Sequence, residues 1–142
     1  MNISEVLSSK GSSVVTVEPG RTVTELVALL AEHRIGAVPV VDGGSTVGIV
    51  SERDVVRRLA SEGADVLNQP VSELMTTDLI TCTPADALDD IARLMTERRI
   101  RHLPVLDGGG LAGIVTIGDV VAARLRELEK TREQLESYIT QG

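Results

Sequence analysis

The chain has no tryptophan, no phenylalanine and a single tyrosine, Tyr138, in 142 residues. Without aromatics it lacks the usual platform for stacking unpaired bases. Cations are also scarce: 14 Lys and Arg stand against 21 Asp and Glu, a formal charge of −7. Phosphate neutralisation by Lys and Arg supplies most nucleic-acid affinity, so a nucleic-acid partner is not expected. There is one cysteine, Cys82, and therefore no internal disulfide. It stands where the other half of the chain has Val17, which reads as a small buried hydrophobe rather than a reactive thiol. No run approaches the ~18 consecutive apolar residues of a membrane span, and the N-terminus has no basic-then-apolar signal pattern. A soluble protein of a reducing compartment, most simply the cytoplasm, is expected, with no membrane partner.

What is present is a repeat. Val47-Gly48-Ile49-Val50-Ser51-Glu52-Arg53-Asp54-Val55-Val56 returns 65 positions later as Ala112-Gly113-Ile114-Val115-Thr116-Ile117-Gly118-Asp119-Val120-Val121. In the same register Pro84 matches Pro19, Ile100 matches Ile35, Pro104 matches Pro39, and Asp107-Gly108-Gly109 matches Asp42-Gly43-Gly44. Each copy reads as a short β-branched strand, a hydroxyl residue, an Asp three positions on, and an apolar run that starts a helix. Such a unit of about 55 residues buries too little of its own sheet, so the two are expected to pack together about a pseudo-two-fold axis.

In chain order, Ile3, Val6 and Leu7 at helical spacing open a short lead that ends in a Ser/Gly-rich break. Val14–Val17 reads as a strand, closed by Glu18-Pro19-Gly20. Thr22 with Glu25 three residues on is a capping-box signature, predicting a helix from Val23 to His33 that Gly36 ends. Ala37–Val41 is the next strand, and Pro39 within it requires an edge or an unpaired position. Val47–Val50 is a third strand and Asp54–Ala60 a second helix. Val71-Ser72-Glu73-Leu74-Met75 echoes Ile3-Ser4-Glu5-Val6-Leu7. The expected organisation is a first repeat with its lead at 1–62, a linker at 63–70, a second repeat at 71–125 and a helical extension at 126–142. The predicted tail helix runs from about Asp119 to Gln141. Its Leu125, Leu128, Leu135 and Ile139 fall near a heptad stripe, interrupted by Arg132, that packs on its own body or on a second subunit. The predicted fold class is α+β: two pseudo-symmetric strand–helix–strand–strand–helix repeats packed sheet to sheet, plus a C-terminal helix.

This tandem pattern, with the Pro strand upstream of each hydrophobic-Gly-hydrophobic-hydrophobic-(Ser/Thr)-x-x-Asp run, resembles a CBS-domain pair, the Bateman module. The resemblance covers about Ile3 to Arg124, and it is to free-standing bacterial pairs rather than to enzymes that carry the module as an appendage. It implies two clefts between the repeats that bind adenosine compounds such as AMP, ADP, ATP, NAD or S-adenosylmethionine. Asp54 and Asp119 would accept hydrogen bonds from a ribose diol, and Ser51 and Thr116 would sit beside ribose or phosphate. Backbone at Ala37-Val38-Pro39 and Leu103-Pro104 would line the adenine. Asp119 would then share a cleft with Thr16 and Val38, and Asp54 one with Thr81 and Leu103. The resemblance also implies a regulatory role, a homodimer of two pairs, and an unidentified protein target.

Residue chemistry leaves an alternative beside this reading. A carboxylate can take both hydroxyls of a cis diol, and a helix N-terminus suits a phosphate. Yet Ser51-x-x-Asp54 and Thr116-x-x-Asp119 are equally helix caps. Cations for a phosphate stand at Arg53, Arg101, His102 and Lys10. Arg34, Arg98 and Arg99 read as complements to a helix C-terminal dipole. Gly118 replaces Arg53 in the second copy, and Gly36-Ala37 stands where the second has Arg101-His102, so the clefts are chemically distinct. With no Gly-rich phosphate loop, metal-ligand cluster or nucleophile–His–acid set, no enzyme and no required cofactor are expected. A dimeric interaction protein with degenerate, empty clefts is the other function consistent with the sequence.

Overall fold

A computed structural model describes residues 1–11 and 13–141. Ser12, in the Ser/Gly-rich break, and Gly142 lie outside it. The elements are α1 (Ile3–Lys10), α2 (Val23–His33), β1 (Ala37–Asp42), β2 (Ser45–Ser51), α3 (Glu52–Glu62), α4 (Leu88–Arg98), β3 (His102–Asp107), β4 (Gly110–Thr116) and α5 (Ile117–Gln141). A short 3₁₀ turn at Gly63–Asn68 occupies the linker and another at Val71–Glu73 opens the second repeat.

Each repeat is an antiparallel hairpin between two helices. Asp42-Gly43-Gly44 and Asp107-Gly108-Gly109 make the hairpin turns, with φ of 57° and 83° at the first glycine pair and 59° and 85° at the second. Two consecutive positive-φ residues define a turn whose twist matches that of the flanking strands, and glycine reaches it without strain. Pro39 stands opposite Ile49, whose N–H and C=O both bond to Thr76. The ladder therefore asks nothing of the proline nitrogen, which is the unpaired position that Pro39 required. β2 and β4 touch across the pseudo-axis, so the two hairpins meet sheet to sheet.

Helix α2 starts and ends at the predicted residues, and its Thr22–Glu25 capping box is formed. Its end differs from expectation. The chain turns at Arg34, which is left-handed at φ 53°, and not at Gly36; Arg99 repeats this at φ 54°. In both cases the following Ile closes the turn, Ile35 N–H donating to Leu30 O and Ile100 N–H to Met95 O. This anchors an apolar residue at the cost of strain in a non-glycine αL position.

The strand expected at Val14–Val17 is not formed. Only Val17 bridges β1, giving its N–H to Pro39 O (3.1 Å) and accepting from Val41 N–H (2.9 Å). The turn at Glu18–Arg21 takes the chain away after one aligned residue, and Cys82 makes the matching single bridge to Val105.

The core is two clusters, and each is completed by a segment outside the repeat it serves. Ile3 and Val6 of α1 are buried with Cys82, Leu88, Ile91, Met95, Leu103 and their neighbours in the second repeat. Backbone bonds from Ile3 to Asp86 and from Ser4 to Pro84 fix them there. Val66 of the linker, with Val71 and Leu74 just after it, is instead buried with Val17, Val23, Leu26 and Val38 in the first. The lead thus packs on the second repeat and the linker on the first.

Candidate functional site

The strand-to-helix corners at the ends of β2 and β4 are closed capping boxes. Asp54 Oδ2 accepts from Ser51 N–H (2.8 Å) and Ser51 Oγ (3.0 Å), while Asp54 N–H donates back to Ser51 Oγ (3.3 Å). Asp119 Oδ2 accepts from Thr116 N–H (2.9 Å), and Asp119 N–H donates to Thr116 Oγ1 (3.1 Å). The cap uses one oxygen of each carboxylate. Among the described residues, Oδ1 of each makes no hydrogen bond.

The corners differ beyond the cap. Asp119 Oδ2 also receives Lys10 Nζ from α1 at 2.7 Å, and the same ammonium donates to Ile114 O at 2.8 Å. Burial pushes the Asp119 carboxyl up, but the Lys10 hydrogen bond, the Thr116 N–H and the Lys10 charge together hold it below its ordinary value. Among the described residues no cation bonds Asp54 in this way. Asp54 opens instead onto a cavity of about 220 Å³ lined by Gly36, Ala37, Ser51, Arg53, Arg57, Thr76, Arg99, Arg101 and His102, among others. Both repeats contribute, because Arg99–His102 enter β3 across the pseudo-axis from Asp54. Four arginines against Asp54 and Glu52 make this cavity basic within an acidic chain.

His102 lies between the corners. A Cβ on Gly36 would come within 3.4 Å of both His102 Nε2 and Glu52 Oε1. Burial lowers the His102 pKa, Lys10 and Arg101 push the same way, and Glu52 and Asp119 oppose them. The imidazole therefore stays neutral at neutral pH and feels charges from both corners.

The Asp54 cavity brings together Ala37, Ser51, Arg53, Asp54, Arg101 and His102. Thr116, Gly118, Asp119 and Lys10 belong to the other corner. Val38, Pro39, Leu103 and Pro104 are buried in the hairpins, and neither they nor half-buried Thr81 line the Asp54 cavity. Thr16 lies apart, beside the Asp42-Gly43-Gly44 turn. Arg57 and Arg99 were missed by the sequence reading. Arg57 is one helical turn from Arg53 on α3, a spacing legible in sequence; Arg99 was taken as a dipole complement, and only the packing of the repeats turns it into the cavity. Among the described residues no group of three or more His, Cys, Asp and Glu could hold a metal ion, and no helix is long and apolar enough to cross a membrane.

A pair of capped corners facing each other across a pseudo-two-fold axis can be compared with known proteins. The CBS domain model matches the chain twice, at residues 3–61 and 71–126. The chain belongs to the CBS-domain family. The CBS domain-containing protein YhcV of Bacillus subtilis is 37% identical over 123 residues, 87% of this chain and 87% of that protein. Among solved structures, the CBS-domain containing protein ATU1752 from Agrobacterium tumefaciens superposes with a TM-score of 0.85 at 43% identity, covering 87% of this chain and 99% of that one. CBSX2 in complex with AMP superposes with a TM-score of 0.73 at 30% identity, over 88% of this CBS pair and 96% of that chain. The mixed α/β architecture with paired small sheets is thus that of CBS pairs, and α5 continues past the family match at residue 126 to Gln141.

Proposed function

We propose that this CBS pair is a regulatory module that binds an adenosine nucleotide of the AMP, ADP, ATP, NAD or S-adenosylmethionine class in the Asp54 cavity. Binding changes its shape or dimer geometry, and an unidentified protein partner reads the change. The observation that carries this reading is the gathering of Arg53, Arg57, Arg99 and Arg101 in one cavity with only Asp54 and Glu52 against them, in a chain of net charge −7. Oδ1 of Asp54 is left free by the cap and suits a ribose hydroxyl, a charge-assisted bond. The arginines and the N-terminus of α3 suit phosphate oxygens. The AMP complex of CBSX2 supports the ligand class. At the second corner Lys10 already neutralises Asp119, so a nucleotide there competes with an internal ion pair, and the Asp54 cavity is the tighter site.

A thermal-shift panel of the five ligands tests the reading. A ligand that binds only the folded state stabilises it by about 2.7 kcal/mol at a hundredfold excess over Kd. At least one ligand raises the melting temperature, and Asp54→Ala and Arg101→Ala reduce that rise more than Asp119→Ala does. No response at millimolar concentration would overturn nucleotide binding in favour of the other reading, a homodimeric interaction protein with empty clefts. That reading draws on the Lys10–Asp119 pair, which fills the second corner without a ligand.

A further inference from the structure

Beyond Glu127 the helix α5 leaves the body, and one side of the helix carries a regular, mostly exposed apolar row. Val121, Leu125, Leu128, Leu135 and Ile139 are all more than half exposed, Leu128 at 66% and Ile139 at 75%. With Arg132 they space 4, 3, 4, 3, 4 along the helix, a heptad in which Leu125, Arg132 and Ile139 are a positions and Val121, Leu128 and Leu135 are d positions. The body-facing residues Val120, Ala123 and half-buried Glu127 lie on another side, so the row is free while the helix stays docked.

We propose that this row is a parallel, in-register two-stranded coiled coil with α5 of a second copy of this chain. The charges flanking the row choose the partner and the direction. In a parallel pair each g residue meets the e residue five positions on in the other helix. Here that pairs Arg124 with Glu129 of the second copy, an attractive contact made twice. An antiparallel pair would instead set e against e, Glu129 against Glu136, a repulsion made twice. A single charged a position in a seam with Leu at d lowers stability but specifies register and strand number. Arg132 is that position, and Glu136 at an e position on its own helix offsets its charge at 3.6 Å. Arg124 now bonds to Asp89 at 2.8 Å with both side chains well exposed, so the exchange for Glu129 of the second copy replaces one exposed pair by another. This inference does not depend on what the clefts bind.

Single cysteines at d positions read the arrangement directly. In the full chain, Leu128→Cys and Leu135→Cys should each give disulfide-linked dimers under mild oxidation at micromolar protein. The wild type should give none, because Cys82 is buried. In the Leu128→Cys background, Arg124→Glu should lower the crosslinked fraction, and adding Glu129→Arg should restore it. An antiparallel pair packs d against a, so crosslinking of mixed Leu128→Cys and Ile139→Cys chains without either self-crosslink would show that arrangement and overturn the proposal. So would the absence of any crosslink, or a yield indifferent to the charge reversals. Circular dichroism and a nucleotide thermal shift on the same variants verify that the body stays folded and keep this outcome separate from the cleft reading.

Discussion

Asp54 and Asp119 occupy equivalent places in the two repeats and make the same cap, yet their chemistry diverges through one residue each never shares with the other. Lys10 belongs to a helix at the far end of the sequence and reaches only Asp119. Because the folded Asp119 carboxyl is held below its ordinary value of 3.8, the unfolded chain takes up the proton first as pH falls. The pair's stabilisation is therefore full above pH about 4 and is lost as pH drops through the folded value. Lys10→Met should be less stable than the wild type at pH 6, by about 1 kcal/mol or less for a partly exposed pair, and the gap should close in acid as pH falls through the lowered Asp119 value, below the ordinary 3.8. Equal gaps at pH 6 and in acid, followed by calorimetry, would mean the pair contributes nothing. At Cys82 burial acts in the same direction as at Asp119 but meets no opposing cation. Its thiol is pushed up to about 12, first by burial and then by Asp86, which fits the small core hydrophobe read from its match to Val17.

At the scale of the element, the two hairpins repeat each other closely enough that their differences are informative. Gly48 and Gly113 have ordinary φ, so what they supply is room. A Cβ at Gly48 would meet Met75 Sδ at 2.8 Å and the Thr76 carbonyl at 3.0 Å, whereas at Gly113 it would meet only the tips of Leu7. The Thr76 carbonyl is fixed by its bond to Ile49 N–H and cannot retreat. Gly48→Ala should therefore cost about 1–3 kcal/mol, as overpacking does, and Gly113→Ala clearly less. Chemical denaturation of the two variants makes the comparison, and equal losses would contradict it. Helix α2 was legible because its capping box and apolar spacing lie within its own residues. Helix α4 follows Ala87, an N-cap residue that offers no side-chain cap, and the repeat register rather than local chemistry places it. The strand expected at Val14–Val17 failed because β-branched composition says nothing of how many residues a neighbouring strand can reach.

The whole molecule is held together by a crossing of segments. The lead that begins the chain completes the second core, and the linker between the repeats completes the first. Ile3 is fully buried there, so Ile3→Ala should cost about 2–5 kcal/mol. Amide exchange should speed up first in α4, β3 and β4, not in α2, β1 and β2. Loss of protection centred on the first repeat would contradict the crossed packing. The same crossing delivers Lys10 to Asp119 and Met75 to Gly48, so removing the lead alters the second corner as well as the second core.

The sequence by itself determined the duplication, the order of helices and hairpins, the two Ser/Thr-x-x-Asp caps and the heptad row of the tail. These rest on short-range periodicity, capping chemistry and a constant register of 65 positions, all written within neighbouring residues. Only the tertiary structure decided which segment covers which repeat, and which arginines surround Asp54. It also decided that Lys10 occupies the other corner and that His102 stands between them. Those choices arise from contacts between residues far apart in the sequence, Lys10 and Asp119 lying 109 positions from one another. Two near-identical hairpins offer each lead an almost equivalent groove, and the local pattern is the same in both. Only the packing of the folded pair tells them apart.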